Sequence, residues 1–370
     1  MLLGQVSWLD CFVFLVFLAP QLIIHVGFFP TLLCGLRALP FLCKSCRIVY
    51  VSIHDESLIK LHFIVLSAAH LADPFQRQNQ TPFVQKASWF EDIVIRCVRY
   101  AFAYIPANIG RVFFSKPVSL PFLRFRMLRH GYFRSPIHWH EVNGDKFKGI
   151  WIINDKSRKP DIVIYYAHGG GFSMGSSYFY LEFLLALLKL LASPAGGYSN
   201  PAIFALEYTL VPDASYPVQL QQAIAGYRHL LSLTGDSSKI CVGGDSAGGT
   251  LVLSLLLHLA SISEKEKSNG QARISSEPAH GDLRPGMAVL ISPWVTLHSP
   301  KSKNTSSDYL DADNLHLYAL QYAGNKFSVQ DPLISPGNCT DVSWWQDACP
   351  KQGFFVMYGA KRCSHPTYAI

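Results

Sequence analysis

Hydrophobic residues recur with two periods along the second half of the chain. Short apolar runs alternate with longer stretches in which apolar residues have helical spacing. The strand candidates are residues 150–153, 162–167, 202–206, 239–243, 287–291 and 353–358. The helix candidates are residues 178–191, 217–233, 247–260 and 314–323. This alternation predicts an α/β fold with a mostly parallel sheet and helices on both faces.

The first 45 residues have a different pattern. Residues 11–36 contain no Asp, Glu, Lys or Arg, and the run exceeds the ~20 residues that cross a bilayer. A signal peptide fits less well, because the run is long and no Lys or Arg precedes it. We therefore expect residues 1–45 to be a single-pass membrane anchor, and we expect the protein at the endoplasmic reticulum. The side of the membrane on which the remaining chain lies stays open.

Residues 46–149 are expected to be a linker and a helical cap. Residues 58–71 and 87–105 are helix candidates, and residues 111–134 interleave Lys and Arg with Phe and Leu. Residues 86–160 hold 14 Lys and Arg against 5 Asp and Glu. This excess fits anionic lipid headgroups and a solvated face equally well. Nucleic acid is not expected as a partner, because no recognition motif accompanies the charge.

Composition narrows the class of protein further. Of the 370 residues, 49% are hydrophobic and 15% are charged, so a large core can form without disulfides. The nine cysteines are scattered, which argues against a disulfide framework. Cys43 and Cys46 form a lone C-x-x-C without nearby histidines, for which palmitoylation is favoured over zinc. No metal and no cofactor are expected.

The pentapeptide Gly244–Gly248, Gly-Asp-Ser-Ala-Gly, lies between a strand candidate and a helix candidate. This is the setting of a G-x-S-x-G nucleophile elbow. Its glycines let strand and helix approach closely, and the strained turn lifts the Ser246 hydroxyl clear of the backbone. Taken alone, the pentapeptide fits a turn that caps a helix equally well.

A second motif favours catalysis. His168–Gly171, His-Gly-Gly-Gly, follows the strand candidate 162–167 and lies 78 residues before Ser246. Consecutive glycines expose backbone N–H groups, as an oxyanion hole requires. Alone, this motif could be a flexible loop or a phosphate cradle that lacks its Lys-Ser/Thr ending. Both motifs together, each after a strand, indicate acyl-transfer chemistry.

With these motifs the chain resembles the hormone-sensitive-lipase-like branch of the α/β-hydrolases. Glu207–Asp213 with Pro217 matches the family's D-Y-R-L-A-P-E…P block, and Asp331–Pro336 matches its D-P-x-x-S-P block. With the apolar N-terminus, the chain most resembles fungal membrane-anchored esterases of the steryl acetyl hydrolase type. The resemblance implies an α/β-hydrolase catalytic domain over residues 150–360.

The resemblance also implies roles for individual residues. Ser246 would be the nucleophile, and the N–H groups of Gly170, Gly171 and Ala247 would hold the oxyanion. Residues that support the two motifs are His168, Gly169, Gly244, Asp245 and Gly248. His168 is expected to order its loop, Asp245 to point away from the nucleophile, and Asp331 to form a turn. The implied reaction is hydrolysis of a small lipophilic acyl ester, such as an acetylated sterol.

The printed C-terminus departs from the family. The acid of the triad would follow Gly359 by three residues, where this chain has Arg362, and the histidine would lie beyond Ile370. We therefore expect residues 361–370 to be a shifted-frame tail, the last strand and helix to be missing, and the printed chain to be inactive. A pseudo-hydrolase that binds a lipophilic ligand is the alternative, and a membrane-anchored scaffold is a third interpretation. Oligomeric state stays open.

Overall fold

The structure is a computed structural model, and its described part covers most of the chain. The described residues are 3–42, 47–50, 64–67, 88–268, 282–300, 302, 304 and 310–359. The expected tail at 361–370 and the Cys43/Cys46 pair lie outside these ranges.

Two apolar helices begin the fold. Helix α1 covers Trp8–His25 and α2 covers Phe28–Leu42, so the uncharged run of residues 11–36 is divided between them. The division falls at Gly27, whose φ of +102° ends α1. At its other end, α1 begins with a capping box in which Ser7 and Asp10 bond each other's backbone N–H. Among the described residues, α1 alone is long and apolar enough to cross a membrane on length and composition.

The region between the N-terminal helices and the main sheet contains strands as well as helices. Strands β1 (Arg47–Tyr50) and β2 (Ile64–Ser67) pair antiparallel, so the helix expected over residues 58–71 is wrong at β2. A local run of β-branched and aliphatic residues with a partner strand outweighs the weak helical period. Helices α3 (Trp89–Tyr104), α4 (Ala107–Phe113) and α5 (Lys116–Arg129) follow.

A seven-stranded sheet forms the centre of the fold. Its strands are β3 (His138–Asn143), β4 (Lys148–Ile153), β5 (Ile162–Ala167), β6 (Pro201–Leu206), β7 (Ile240–Asp245), β8 (Met287–Ile291) and β9 (Phe354–Met357). The spatial order is β3-β4-β6-β5-β7-β8-β9. Strand β4 is antiparallel to both neighbours, and the other pairs are parallel. The predicted mostly parallel sheet is confirmed, although it begins at His138, before residue 150.

Helices cover both faces of this sheet, as the sequence predicted. They are α6 (Ser177–Leu191), α7 (Val218–Thr234), α8 (Ala247–Ser268), α9 (Ala312–Ala323) and α10 (Val342–Ala348). On one face, Leu181 and Leu184 of α6 pack in a cluster with Ile203. On the other face, Leu251 of α8 packs in a cluster with Val242. In β6, alternate residues therefore serve opposite layers, because Ile203 belongs to the first cluster and Phe204 to the second.

Candidate active site

Ser246 lies in a sharp turn between β7 and α8. Its φ is +48°, a left-handed conformation that costs a non-glycine residue about 1–3 kcal/mol. The end of β8 holds the turn, because the Ser246 N–H donates to the Ile291 carbonyl at 3.1 Å. The Ser246 carbonyl accepts from the N–H of Trp294 at 3.0 Å. The serine therefore occupies a strained position that two backbone bonds maintain.

Two glycines allow the close packing around this turn. A Cβ added to Gly248 would lie 2.0 Å from the Ala167 carbonyl oxygen, and one added to Gly244 would lie 2.6 Å from the Gly248 carbonyl carbon. Both distances are far below van der Waals contact. The start of α8 can therefore approach β5 and β7 only because these positions lack side chains.

The His-Gly-Gly-Gly loop turns immediately after β5. Gly170 and Gly171 have φ of +119° and +62°. The Gly170 carbonyl accepts from the N–H of Met174 at 3.0 Å, which closes the turn. Within the described part of the chain, the N–H groups of Gly170, Gly171 and Ala247 donate no hydrogen bond.

Asp245 connects this loop to the serine turn. Its carboxylate accepts hydrogen bonds from the Tyr166 hydroxyl at 2.8 Å, the Tyr180 hydroxyl at 2.8 Å and the Gly169 N–H at 2.9 Å. Burial raises the pKa of Asp245, and these bonds oppose that rise. The sequence interpretation overlooked both tyrosines. The signal that could have found them is a tyrosine such as Tyr166 on a buried strand, because its hydroxyl needs a polar partner there.

His168 is fully enclosed beneath the same loop. Its ring stacks on Tyr208 with centroids 4.3 Å apart, and its Nδ1 lies 2.8 Å from the Gly169 carbonyl. That carbonyl can only accept, so Nδ1 carries the proton. Burial lowers the pKa of His168 to about 4. A neutral histidine bonded to its own loop orders the loop and is poorly suited to carry protons.

The other two sequence blocks have structural contacts. The Ser177 N–H donates to the Glu207 carboxylate at 2.6 Å, and burial raises the pKa of Glu207 to about 7. Asp213 pairs with Arg111 of α4, which ties the cap helices to the sheet domain. Asp331 forms a turn, because its carboxylate accepts from the Leu333 N–H at 2.8 Å.

Helix α9 lies against the glycine loop. A Cβ on Gly171 would lie 2.9 Å from the Tyr318 ring, and the Phe172 ring stacks on Tyr322 with centroids 3.7 Å apart. The Asn314 side chain donates to the Ala103 carbonyl at 2.8 Å. A chain of contacts thus runs from the glycine loop through α9 to α3.

Two further findings concern the Ser246 hydroxyl and metal binding. The Ser246 hydroxyl has no hydrogen-bond partner among the residues that the structure describes. Over the same residues, no group of three or more His, Cys, Asp or Glu side chains could hold a metal ion.

A mostly parallel sheet, a left-handed serine between strand and helix, and a glycine loop at the end of the adjacent strand define an α/β-hydrolase. Residues 164–356, more than half of the chain, match the family described as alpha/beta hydrolase fold. The chain belongs to this family, in its hormone-sensitive-lipase-like branch. Both the family and the fold class that the sequence predicted are confirmed.

Two curated relatives and one solved structure illustrate this membership. The chain is 24% identical over 220 residues to steryl acetyl hydrolase 1 of Saccharomyces cerevisiae. The matched stretch covers 56% of this chain and 46% of that protein. It is 26% identical over 186 residues to an acetyl-hydrolase of Streptomyces hygroscopicus, and the match covers 49% of this chain and 53% of that protein. The chain therefore spans about half the length of these relatives. The structure of an esterase from the bacterial hormone-sensitive lipase family has a TM-score of 0.52 at 22% identity, covering 74% of this chain and 90% of that one. That likeness shows the fold alone.

Proposed function

We propose that this member of the hydrolase family is a serine carboxylic ester hydrolase with Ser246 as its nucleophile. The observation that carries the proposal is the left-handed Ser246 turn, joined through Asp245 to a glycine loop in which the N–H groups of Gly170 and Gly171 are unbonded among the described residues. A nucleophile and a set of unpaired backbone donors at the ends of adjacent strands are the parts that acyl transfer needs.

The proposed reaction follows the acyl-enzyme route. The Ser246 oxygen attacks the ester carbonyl carbon, and the N–H groups of Gly170, Gly171 and Ala247 stabilise the oxyanion that forms. Collapse of the tetrahedral species breaks the ester C–O bond, the proton lost by Ser246 passes to the departing alkoxide, and an alcohol leaves behind an acyl-serine. Water then attacks the acyl carbon, which releases the carboxylic acid and restores the Ser246 hydroxyl. Because His168 is neutral and bonded to its own loop, its part is to hold the glycine loop in place.

The proposed substrate is a lipophilic acyl ester such as an acetylated sterol. The names of the two curated relatives, an acetyl-hydrolase and a steryl acetyl hydrolase, support an acetyl group. Aromatic side chains of α9 next to the glycine loop, Tyr318 and Tyr322, support an apolar alcohol. An apolar substrate of this kind dissolves in membranes. We propose that the protein acts at a membrane, that of the endoplasmic reticulum.

Labelling with a fluorophosphonate tests the proposal. A form of the protein that carries the acid and the histidine of the triad should react at Ser246 in membranes, and Ser246→Ala should abolish labelling while the circular dichroism spectrum stays unchanged. Ser261→Ala is the matched control, because it removes a hydroxyl from the helix that follows Ser246. Among the described residues, this hydroxyl bonds the His258 carbonyl. Protein that has not been exposed to the label should hydrolyse short-chain esters, including acetylated sterols, and prior labelling should abolish this turnover. Folded protein that neither labels nor turns over esters would overturn the proposal.

A ligand-binding pseudo-hydrolase is the second candidate function. The observation that favours it is the Ser246 hydroxyl, which has no hydrogen-bond partner among the described residues and therefore no general base there. In this case the folded chain would remain unlabelled yet bind an acetylated sterol saturably. Ser246→Ala would leave that affinity unchanged.

A further inference from the structure

Helices α1 and α2 expose an unusually apolar surface. The exposed fractions of its larger side chains reach 64% for Phe12, 70% for Ile24 and 79% for Phe29. Trp8, Leu15 and Leu32 belong to the same surface. Soluble proteins rarely expose contiguous apolar patches of this kind, and such a patch marks an interaction site.

The opposite side of α1 is docked on the helices of the cap along most of its length. Near its start, the buried Asp10 carboxylate pairs with Arg126 of α5 at 2.9 Å and with Arg129 at 2.9 Å. Near its end, Leu18 and Leu22 are buried in a cluster with Ile109 of α4. Twelve residues separate Asp10 from Leu22, a distance of about 18 Å along a helix axis.

Helix α2 is fixed to the same cap helices. The Tyr100 hydroxyl of α3 donates to the Cys34 carbonyl at 2.9 Å, and Cys34 and Ala38 pack against the cluster that contains Leu22. Both helices therefore run along the cap, and both ends of α1 stay in contact with it.

This docking is incompatible with α1 as a membrane span. The hydrocarbon core of a bilayer is about 30 Å thick, so a spanning α1 would carry its partners α4 and α5 into the lipid. Helix α5 exposes Lys116, Arg124 and Arg129, and charged side chains avoid lipid unless they face protein or water. Length and composition alone would permit a span, but the contacts of α1 do not.

The charge of the surface identifies its partner. Asp10 is the sole carboxylate of α1 and α2, and it is buried. Arg37 of α2 is exposed, as is Arg129 beside the start of α1. An apolar surface without exposed carboxylates and with cations at its rim complements a lipid leaflet with anionic headgroups.

We infer that α1 and α2 form a monotopic membrane-binding face, lying in the plane of one leaflet with their exposed side chains in lipid. This arrangement differs from the single-pass anchor that the sequence alone predicted. The N-terminus and the catalytic domain then lie on the same side of the membrane.

Topology mapping of the full chain separates the two arrangements. A glycosylation acceptor tag is added before Met1, and the exposed natural sequon at Asn304 reports the side of the catalytic domain. In microsomes the two sites should be both glycosylated or both unmodified, and protease added outside should degrade both or neither. Sites that report opposite sides of the membrane would establish a span and overturn the inference.

Vesicle flotation tests the face itself. Vesicles of phosphatidylcholine with phosphatidylserine should bind the full chain, and the double variant Phe12→Glu/Leu15→Glu should lower binding by about tenfold or more, because two apolar contacts become charges. Leu233→Glu is the matched control, since Leu233 is 47% exposed on α7 and should leave binding unchanged. Equal binding by the double variant, or a stable dimer that covers the face and does not float, would overturn the inference.

Discussion

Replacing Arg126 with Met should undock α1 from the rest of the protein. The Arg126 guanidinium is fully buried and donates to Asp10 at 2.9 Å and to Glu182 at 2.7 and 2.8 Å. It also donates to the carbonyls of Leu3 and Gly4 at 3.2 and 3.1 Å. Met fills part of the volume but offers no donor, so all of these acceptors lose this partner together.

The magnitude follows from what remains in the site. Removing one partner of a buried ion pair costs about 3–5 kcal/mol. Asp10 keeps hydrogen bonds from Arg129 and Ser7, so we expect the lower end, about 3 kcal/mol. At about 1.4 kcal/mol per factor of ten, the population with α1 undocked should rise by about 100-fold.

Limited proteolysis and hydrogen exchange of detergent-solubilised protein measure this population. Cleavage near Gly27, where α1 and α2 meet, and exchange of the α1 amides should accelerate together in the variant. Arg124→Met is the matched control, because Arg124 is exposed on the same helix and its loss should change neither rate. Equal rates in Arg126→Met and the wild type would refute the assignment of Arg126 as the group that holds α1.

Three further predictions concern the site. Burial raises the pKa of Glu207 to about 7 from an ordinary value of 4.5, so stability is lost as pH rises between these values. Glu207→Gln should remove this loss of about 3 kcal/mol, measured by urea unfolding at pH 5 and pH 8. Gly169→Ala places a Cβ 2.2 Å from the Asp245 carboxylate and should slow fluorophosphonate labelling by about 10- to 100-fold. Gly35→Ala is the control, because a Cβ there meets nothing within 4 Å, and it should leave labelling unchanged. Tyr180→Phe removes a hydrogen-bond donor to Asp245 and should lower the free energy of unfolding by about 1–3 kcal/mol. It should also raise the pKa of Asp245 further, so the destabilisation caused by the substitution should grow as pH rises through that pKa.

Each of these predictions has a clear contrary result. Parallel pH profiles for Glu207→Gln and the wild type would mean that this carboxylate titrates normally. Labelling of Gly169→Ala at the wild-type rate would separate the glycine loop from the reactivity of Ser246. A Tyr180→Phe variant as stable as the wild type at every pH would show that the Asp245 carboxylate does not depend on this hydroxyl.

Most of the central sheet could be predicted from the sequence, because each buried strand is a short apolar run. The predicted strands at 162–167 and 287–291 coincide with β5 and β8. Strand β3 was missed, because the residues His138–Asn143 are mostly polar and mostly exposed, as an edge strand permits. The division of the apolar N-terminus at Gly27 was missed as well, since apolar density alone does not register a single left-handed glycine.

The candidate site was predicted less completely than the fold. The elbow and the glycine loop are contiguous in sequence, and the structure brings them together through the Gly169–Asp245 bond. Tyr166 and Tyr180 lie on different elements, and no local pattern indicates that both hydroxyls converge on one carboxylate. The docking of α1 through Arg126 is similarly non-local, because its partner Asp10 lies 116 residues away.

The contact between Gly169 and Asp245 constrains how related sequences can diverge. No side chain fits at position 169 while a carboxylate at position 245 accepts its N–H. A smaller residue at 245 would remove the 2.2 Å contact with a Cβ at 169 but would leave both tyrosine hydroxyls without this acceptor. We therefore expect substitutions at 169, 245 and the two tyrosine positions to occur together or not at all. In an alignment of homologues, these positions would covary although as many as 79 residues separate them.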